Sequence, residues 1–277
     1  MIRRILVAID ETPASRIAQD LAIAIAKQRS AAITGVGVVD RPWATAPQAV
    51  PIGGSAYKVH RDQVVLDELR HEVEAILCTF SEACRTAGVL FSTVEIEDAP
   101  ARAIESEAEG CDLIVIGKDT NFHFEAEPDM TATVARLIRE NARPVLVTSE
   151  GEWTGDTALV CYDGSVPASR AMHLFVLLGL AHDREVHLVS VAGTKEAANA
   201  RLASAEKLFI AHEVPVHLHG TAADADAADI ILAQVDALRP ALLVMGAFGH
   251  TGLRELFLGS ATRTLLRQCD TPMFICH

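Results

Sequence analysis

Short apolar runs alternate with amphipathic stretches along the 277-residue chain. Ile5–Ile9 is a run of five apolar residues, and after it Ile17, Leu21 and Ile25 recur every four positions. An apolar run without polar alternation predicts a strand buried on both faces, and the four-residue recurrence predicts a helix laid over it. The rhythm continues with a long second helix marked by Val65, Leu69, Val73, Ile76 and Phe80. Ala101, Ile104 and Ala108 mark a third helix, and Val134, Leu137 and Ile138 a fourth. Strand runs at Leu113–Ile116 and Val145–Val147 fall between them. Such alternation predicts an α/β fold with a parallel sheet covered on both faces.

The pattern occurs twice. Ile5–Ile9, Asp10 and the Pro-Ala-Ser-Arg segment ending at Arg16 are matched by Ala158–Tyr162, Asp163 and the same four residue types ending at Arg170. Asp112–Gly117 mirrors Ala241–Gly246, and Arg143–Thr148 mirrors Thr271–Cys276. Two copies of one fold are the simplest explanation. Residues 1–149 and 157–277 are therefore expected to be the two domains, joined through a polar, glycine-bearing linker from Ser149 to Asp156. The first copy carries an added stretch from Arg41 to about His60, rich in Pro, Gly and Ala, which reads as a surface insertion or a lid.

Composition narrows the function classes. The formal charge of −13 excludes broad contact with nucleic acid, which needs lysines and arginines to neutralise phosphates. It also requires any anion site to work through local backbone donors. No apolar run approaches the roughly 20 residues that cross a bilayer, and the N-terminal apolar run stops at Asp10, too early for a secretory signal, so a cytoplasmic protein is expected. The six cysteines show no C-x-x-C spacing and are expected to be reduced and mostly packed.

Candidate chemistry concentrates near the C-terminus. Gly246, Gly249, Gly259 and Ser260 follow the strand-like run Ala241–Met245 with two residues between the first pair and nine between the second. Glycines allow close backbone approach to an anion, and a helix starting at Ser260 would direct free N–H groups at it. An ordinary strand-to-helix turn would use the same glycines. A Walker-type P-loop is absent, and Gly35 and Gly37 lack the third glycine of a dinucleotide fingerprint.

Together these residues resemble the universal stress protein family in its tandem two-domain form, over essentially the whole chain. The resemblance implies two Rossmann-like domains, each an open five-stranded parallel sheet, packed as a pseudo-two-fold intramolecular dimer through their final strands. It further implies ATP in the second domain, with Mg²⁺ held mostly by the phosphates. By that likeness Asp163 lies beside the adenosine moiety and the Val191 backbone faces the adenine edge. Met245 lines the base and ribose pocket, while Gly246, Gly249, Gly259, Ser260 and Ala261 surround the phosphates. Asp163 as a mere helix cap and Met245 as core filling remain open alternatives.

The first copy departs from the pattern. Thr120 stands where the second glycine belongs, and Met130-Thr131 or Thr131-Ala132 replaces Gly-Ser. Glu125, Glu127 and Asp129 add carboxylates that repel a triphosphate, with Lys118 as partial compensation. This copy is expected to bind no ATP in the usual way and to act as a structural partner. A nucleotide-free interaction scaffold and, on a related fold, an adenylating enzyme are the alternatives, and pairing of two chains stays open. Neither a nucleophile elbow, a zinc-protease helix nor a kinase signature occurs, so at most slow ATP hydrolysis is expected. His217 and His219 share one strand face, but no third ligand has a recognisable metal spacing. Asp224, Asp226 and Asp229 read as the start of a helix.

Overall fold

The computed structural model describes residues 1–49, 51, 54–123, 132–151, 154–222, 226–247 and 260–277. The first half runs β1 (Arg4–Ala8), α1 (Pro13–Arg29), β2 (Ala32–Asp40), α2 (Arg41–Ala44), α3 (Ser55–Ala87), β3 (Phe91–Asp98), α4 (Pro100–Ala108), β4 (Leu113–Gly117), α5 (Ala132–Glu140) and β5 (Val145–Thr148). The second runs β6 (Thr157–Cys161), α6 (Val166–Leu177), β7 (Glu185–Ala192), α7 (Lys195–Ala211), β8 (Val216–Ala222), α8 (Ala227–Leu238), β9 (Leu242–Gly246), α9 (Ser260–Gln268) and β10 (Met273–Cys276). Part of the added stretch after Arg41 is thus helical: α2 occupies its start, and α3 begins at Ser55.

The strands form one ten-stranded sheet in the order β3-β2-β1-β4-β5-β10-β9-β6-β7-β8. Within each half every pairing is parallel, as the doubly buried strand runs require. The halves meet at β5 and β10, which pair antiparallel with Phe274 opposite Leu146. Val145–Val147 and Met273–Ile275 would be apolar edges if left open, and each covers the other. The antiparallel seam makes the carboxyl ends of the strands face opposite ends of the sheet in the two halves.

Each face of the sheet carries its own core. One gathers α1, α3, α6 and α7, with Phe80, Phe175, Phe209 and Phe274 fully buried. The other gathers α4, α5, α8 and α9, with Ile104, Leu137, Leu265 and Met273. The helix positions that recur in the sequence face these cores, Leu69, Val73 and Phe80 on α3 among them. Across the seam, Arg29 on α1 pairs with Asp183 at 2.7 Å. Ser149, at the start of the linker, is buried and donates to the Cys269 carbonyl at 3.5 Å. All six cysteines are free thiols and five are buried. Burial pushes the Cys84 thiol up to about 11 and the Cys276 thiol up to about 12, so both stay protonated and inert. Asp226 caps α8 by accepting from the Ala228 amide at 3.1 Å, and Asp229 lies in its first turn.

Candidate functional site

In an open parallel sheet the ligand end lies beyond the strand carboxyl termini, where the strand order reverses. In the second half that place is bounded by β6, β7 and β9. Asp163 follows β6 and is half-buried, and its Oδ1 accepts from the Ser165 amide at 2.9 Å. Ser165, not Asp163, is the N-cap of α6, with its Oγ accepting from the Ala168 amide at 3.2 Å. The capping reading of Asp163 is thereby replaced: the carboxylate holds the turn that delivers the cap. Gly164 between them has φ of +84°, a left-handed conformation that glycine adopts without steric cost.

Val191 sits near the end of β7. The Val189 carbonyl accepts from the Tyr162 amide at 2.9 Å, so the Val191 backbone, two residues on, points the same way but past the end of β6. Its carbonyl accepts from Arg201 Nη1 on α7 at 3.2 Å. Arg201 also lies over Gly164, its Nε 3.8 Å from where a side chain there would begin. Arg201 is the residue that sequence reasoning missed. It lies one helix away from the glycine signature, and only the packing of α7 on β7 brings it to the Asp163 turn.

Met245 is 5% exposed and packs in the core shared with α8 and α9. Gly246 ends β9, and its conformation is not left-handed. A Cβ there would lie 2.3 Å from the Ala168 nitrogen and 2.5 Å from the Pro167 carbonyl carbon. The glycine therefore lets the first turn of α6 lie directly against the strand end. Gly117 does the same in the first half, where a Cβ would meet the Ser15 nitrogen at 2.5 Å. The first half keeps this glycine without the rest of the signature, so the close packing of strand on helix is by itself enough to require it. Ser260 opens α9, with Ala261 half-buried behind it. Gly249, Gly259 and His250 lie outside the described residues.

The corresponding end of the first half is filled by the chain itself. Asp10 is 1% exposed; its Oδ1 accepts from the Thr12 amide at 3.0 Å and the Thr12 hydroxyl at 2.6 Å, and its Oδ2 from the amides of Asn121 at 2.9 Å and Phe122 at 3.4 Å. Burial pushes the Asp10 carboxyl up, against the pull of these four donors. Phe122 is wholly buried at φ +64°, and His123 Nε2 meets Asp40 Oδ2 at 2.7 Å under the stacked ring of Trp43, 4.7 Å between centroids. Residues 120–123 thus close over β1, β2 and β4. Lys118 faces the other half, 3.6 Å from Asp270. Glu125, Glu127, Asp129, Met130 and Thr131 lie outside the described residues.

Two α/β units of one topology, joined in one sheet, define a tandem doubly wound protein. The chain belongs to the universal stress protein family, which matches it twice, over residues 1–148 and 156–277. A universal stress protein of Synechocystis sp. is 29% identical over 164 residues, a stretch spanning 58% of this chain and 56% of that protein. Among solved structures, a universal stress protein from Archaeoglobus fulgidus has a TM-score of 0.72 at 19% identity, over 99% of this chain and 97% of that one. A functionally unknown protein from Pseudomonas aeruginosa has a TM-score of 0.63 at 19% identity, over 99% and 92%. At these identities the structural likeness is one of fold. Among the described residues no helix is long and apolar enough to cross a membrane.

Proposed function

We propose that the second half binds ATP beyond the carboxyl ends of β6, β7 and β9, as part of a cytoplasmic stress-response protein whose first half is a structural partner. The observation that carries this reading is the contrast between two copies of one architecture. In the first, Asp10 is 1% exposed and Phe122 is packed behind it. In the second, Asp163 is half-buried beside a left-handed glycine turn, and the Val191 backbone faces past the end of β6. A nucleoside fits this donor and acceptor set: Asp163 for ribose hydroxyls, and the Val191 backbone for a base edge once Arg201 turns away. The phosphates would lie on the amides from Gly246 through Gly249, Gly259, Ser260 and Ala261, with Mg²⁺ held by the phosphates themselves. ATP supplies a charged, ligand-dependent cap to this end of the sheet. The excess acidity of the chain makes local amides, rather than a long-range field, the source of affinity.

Titration of the full chain with labelled Mg·ATP tests the assignment. Asp163→Ala is expected to weaken binding at least about 10-fold, the loss of a hydrogen bond to a charged group. Lys118→Ala in the first half is expected to leave affinity unchanged. Equal losses from both would overturn the asymmetry of the two halves, and no binding by the wild type at millimolar nucleotide would leave the interaction-scaffold reading in its place.

A further inference from the structure

At the opposite end of the second half, the amino ends of β7 and the edge strand β8 bring four titratable side chains onto one face. The parallel register sets His187 beside His217 and Val189 beside His219. Side chains two apart on a strand share a face, so Glu185 and His187 on β7 stand in line with His217 and His219 on β8. Val189 in the same file packs in the core of α8 and α9, which fixes the face. The sequence shows only the His217 and His219 pair; its partners lie some 30 residues away and meet it through strand pairing alone.

From this juxtaposition we propose that Glu185, His187 and His217 form a binding site for a zinc-class divalent ion, with His219 orienting His187. One ligand atom from each of the three lies within 4.8 Å of the others. Glu185 Oε1 is 3.3 Å from His187 Nε2 and 3.3 Å from His217 Nε2. Two donors each about 2.0–2.1 Å from a tetrahedral zinc stand about 3.3 Å apart, so both of these edges already have the required length. The His187 and His217 rings are stacked 4.9 Å apart, and His217 is 60% exposed at its side chain, free to swing onto an ion.

His187 Nδ1 lies 2.8 Å from His219 Nε2. With an ion on Nε2, the proton of His187 resides on Nδ1 and is donated to His219, the outer hydrogen bond that orients metal-bound imidazoles. Two imidazoles and one carboxylate suit zinc and its neighbours rather than the oxygen-seeking magnesium or calcium. Three protein donors leave one position for water or an incoming ligand. The site is remote from the proposed nucleotide end, so its fate is independent of that reading.

Zinc alone, titrated into the nucleotide-free full chain in competition with a chromophoric chelator, tests the proposal. One equivalent is expected to bind the wild type, and cobalt in its place is expected to give the intense visible bands of a tetrahedral N and O site. Glu185→Gln combined with His217→Asn, both at exposed positions, is expected to weaken zinc binding at least about 100-fold, while His219→Gln weakens it about 10-fold. His217→Asn alone serves should the double variant melt early. Zinc binding that is absent in the wild type, or equal in wild type and variants, would overturn the site and leave an ordinary hydrogen-bonded histidine cluster.

Discussion

Gly246→Ala is expected to lower the melting temperature by roughly 6–12 °C, because the added methyl group would meet the backbone of the first turn of α6. The added Cβ would lie 2.3 Å from the Ala168 nitrogen and 2.8 Å from its Cα, atoms fixed in the first turn of α6. A side chain could rotate away, but a helix start tied by the Ser165 cap cannot, so strand and helix must separate. Overpacking of this kind costs about 3 kcal/mol or more. Gly117→Ala is expected to do equal harm, since its Cβ would meet the Ser15 nitrogen and the Ala14 carbonyl carbon at 2.5 and 2.7 Å. Thermal melts of the two variants decide the matter. An unchanged melting temperature in Gly246→Ala would show that strand-on-helix packing does not require the glycine.

Phe122→Ala is expected to destabilise the first half by about 3–5 kcal/mol, the cost of emptying a fully buried aromatic site. Its ring belongs to the core that gathers α4 and α5 in this half, while its amide helps enclose Asp10. Phe122 also holds φ of +64°, a conformation that costs a residue with a Cβ about 1 kcal/mol. Phe122→Gly removes the same ring yet relieves that cost, so it is expected to be at least as stable as Phe122→Ala, the reverse of the usual order. Denaturant unfolding of the three proteins checks both points. A loss below about 1 kcal/mol for Phe122→Ala would mean that the ring is not what seals this end. ATP affinity of the second half is expected to stay unchanged throughout.

The fold was legible in the chain because its strands are buried on both faces and its helices on one. Ile5–Ile9, Leu113–Ile116 and the recurring positions of α3 carry their burial in their spacing, and the duplication let each half support the reading of the other. The added stretch after Arg41 was less legible, since the start of α3 at Ser55 has few apolar positions to mark it. At the candidate site the sequence assigned Gly246 to an anion and did not show that the same glycine is also needed for packing. Strand-on-helix contact and phosphate contact both demand a missing Cβ, and the position of Ala168 reveals the first of these demands. Arg201, the enclosure of Asp10 and the Glu185, His187 and His217 group were not legible, because each joins residues from different elements. Asn121, Phe122 and His123 form no pattern until the end of β4 brings them over β1.

The reversal of strand direction at the β5–β10 seam places the carboxyl ends of the two sets of strands at opposite poles of the molecule. A nucleotide seated at the pole of the second half would lie far from the closed end of the first. Any coupling between the two ends has to pass through the contacts that join the halves, Leu146 and Phe274 in the shared sheet and Arg29 and Asp183 beside it, which makes that short junction the natural fuse of the molecule.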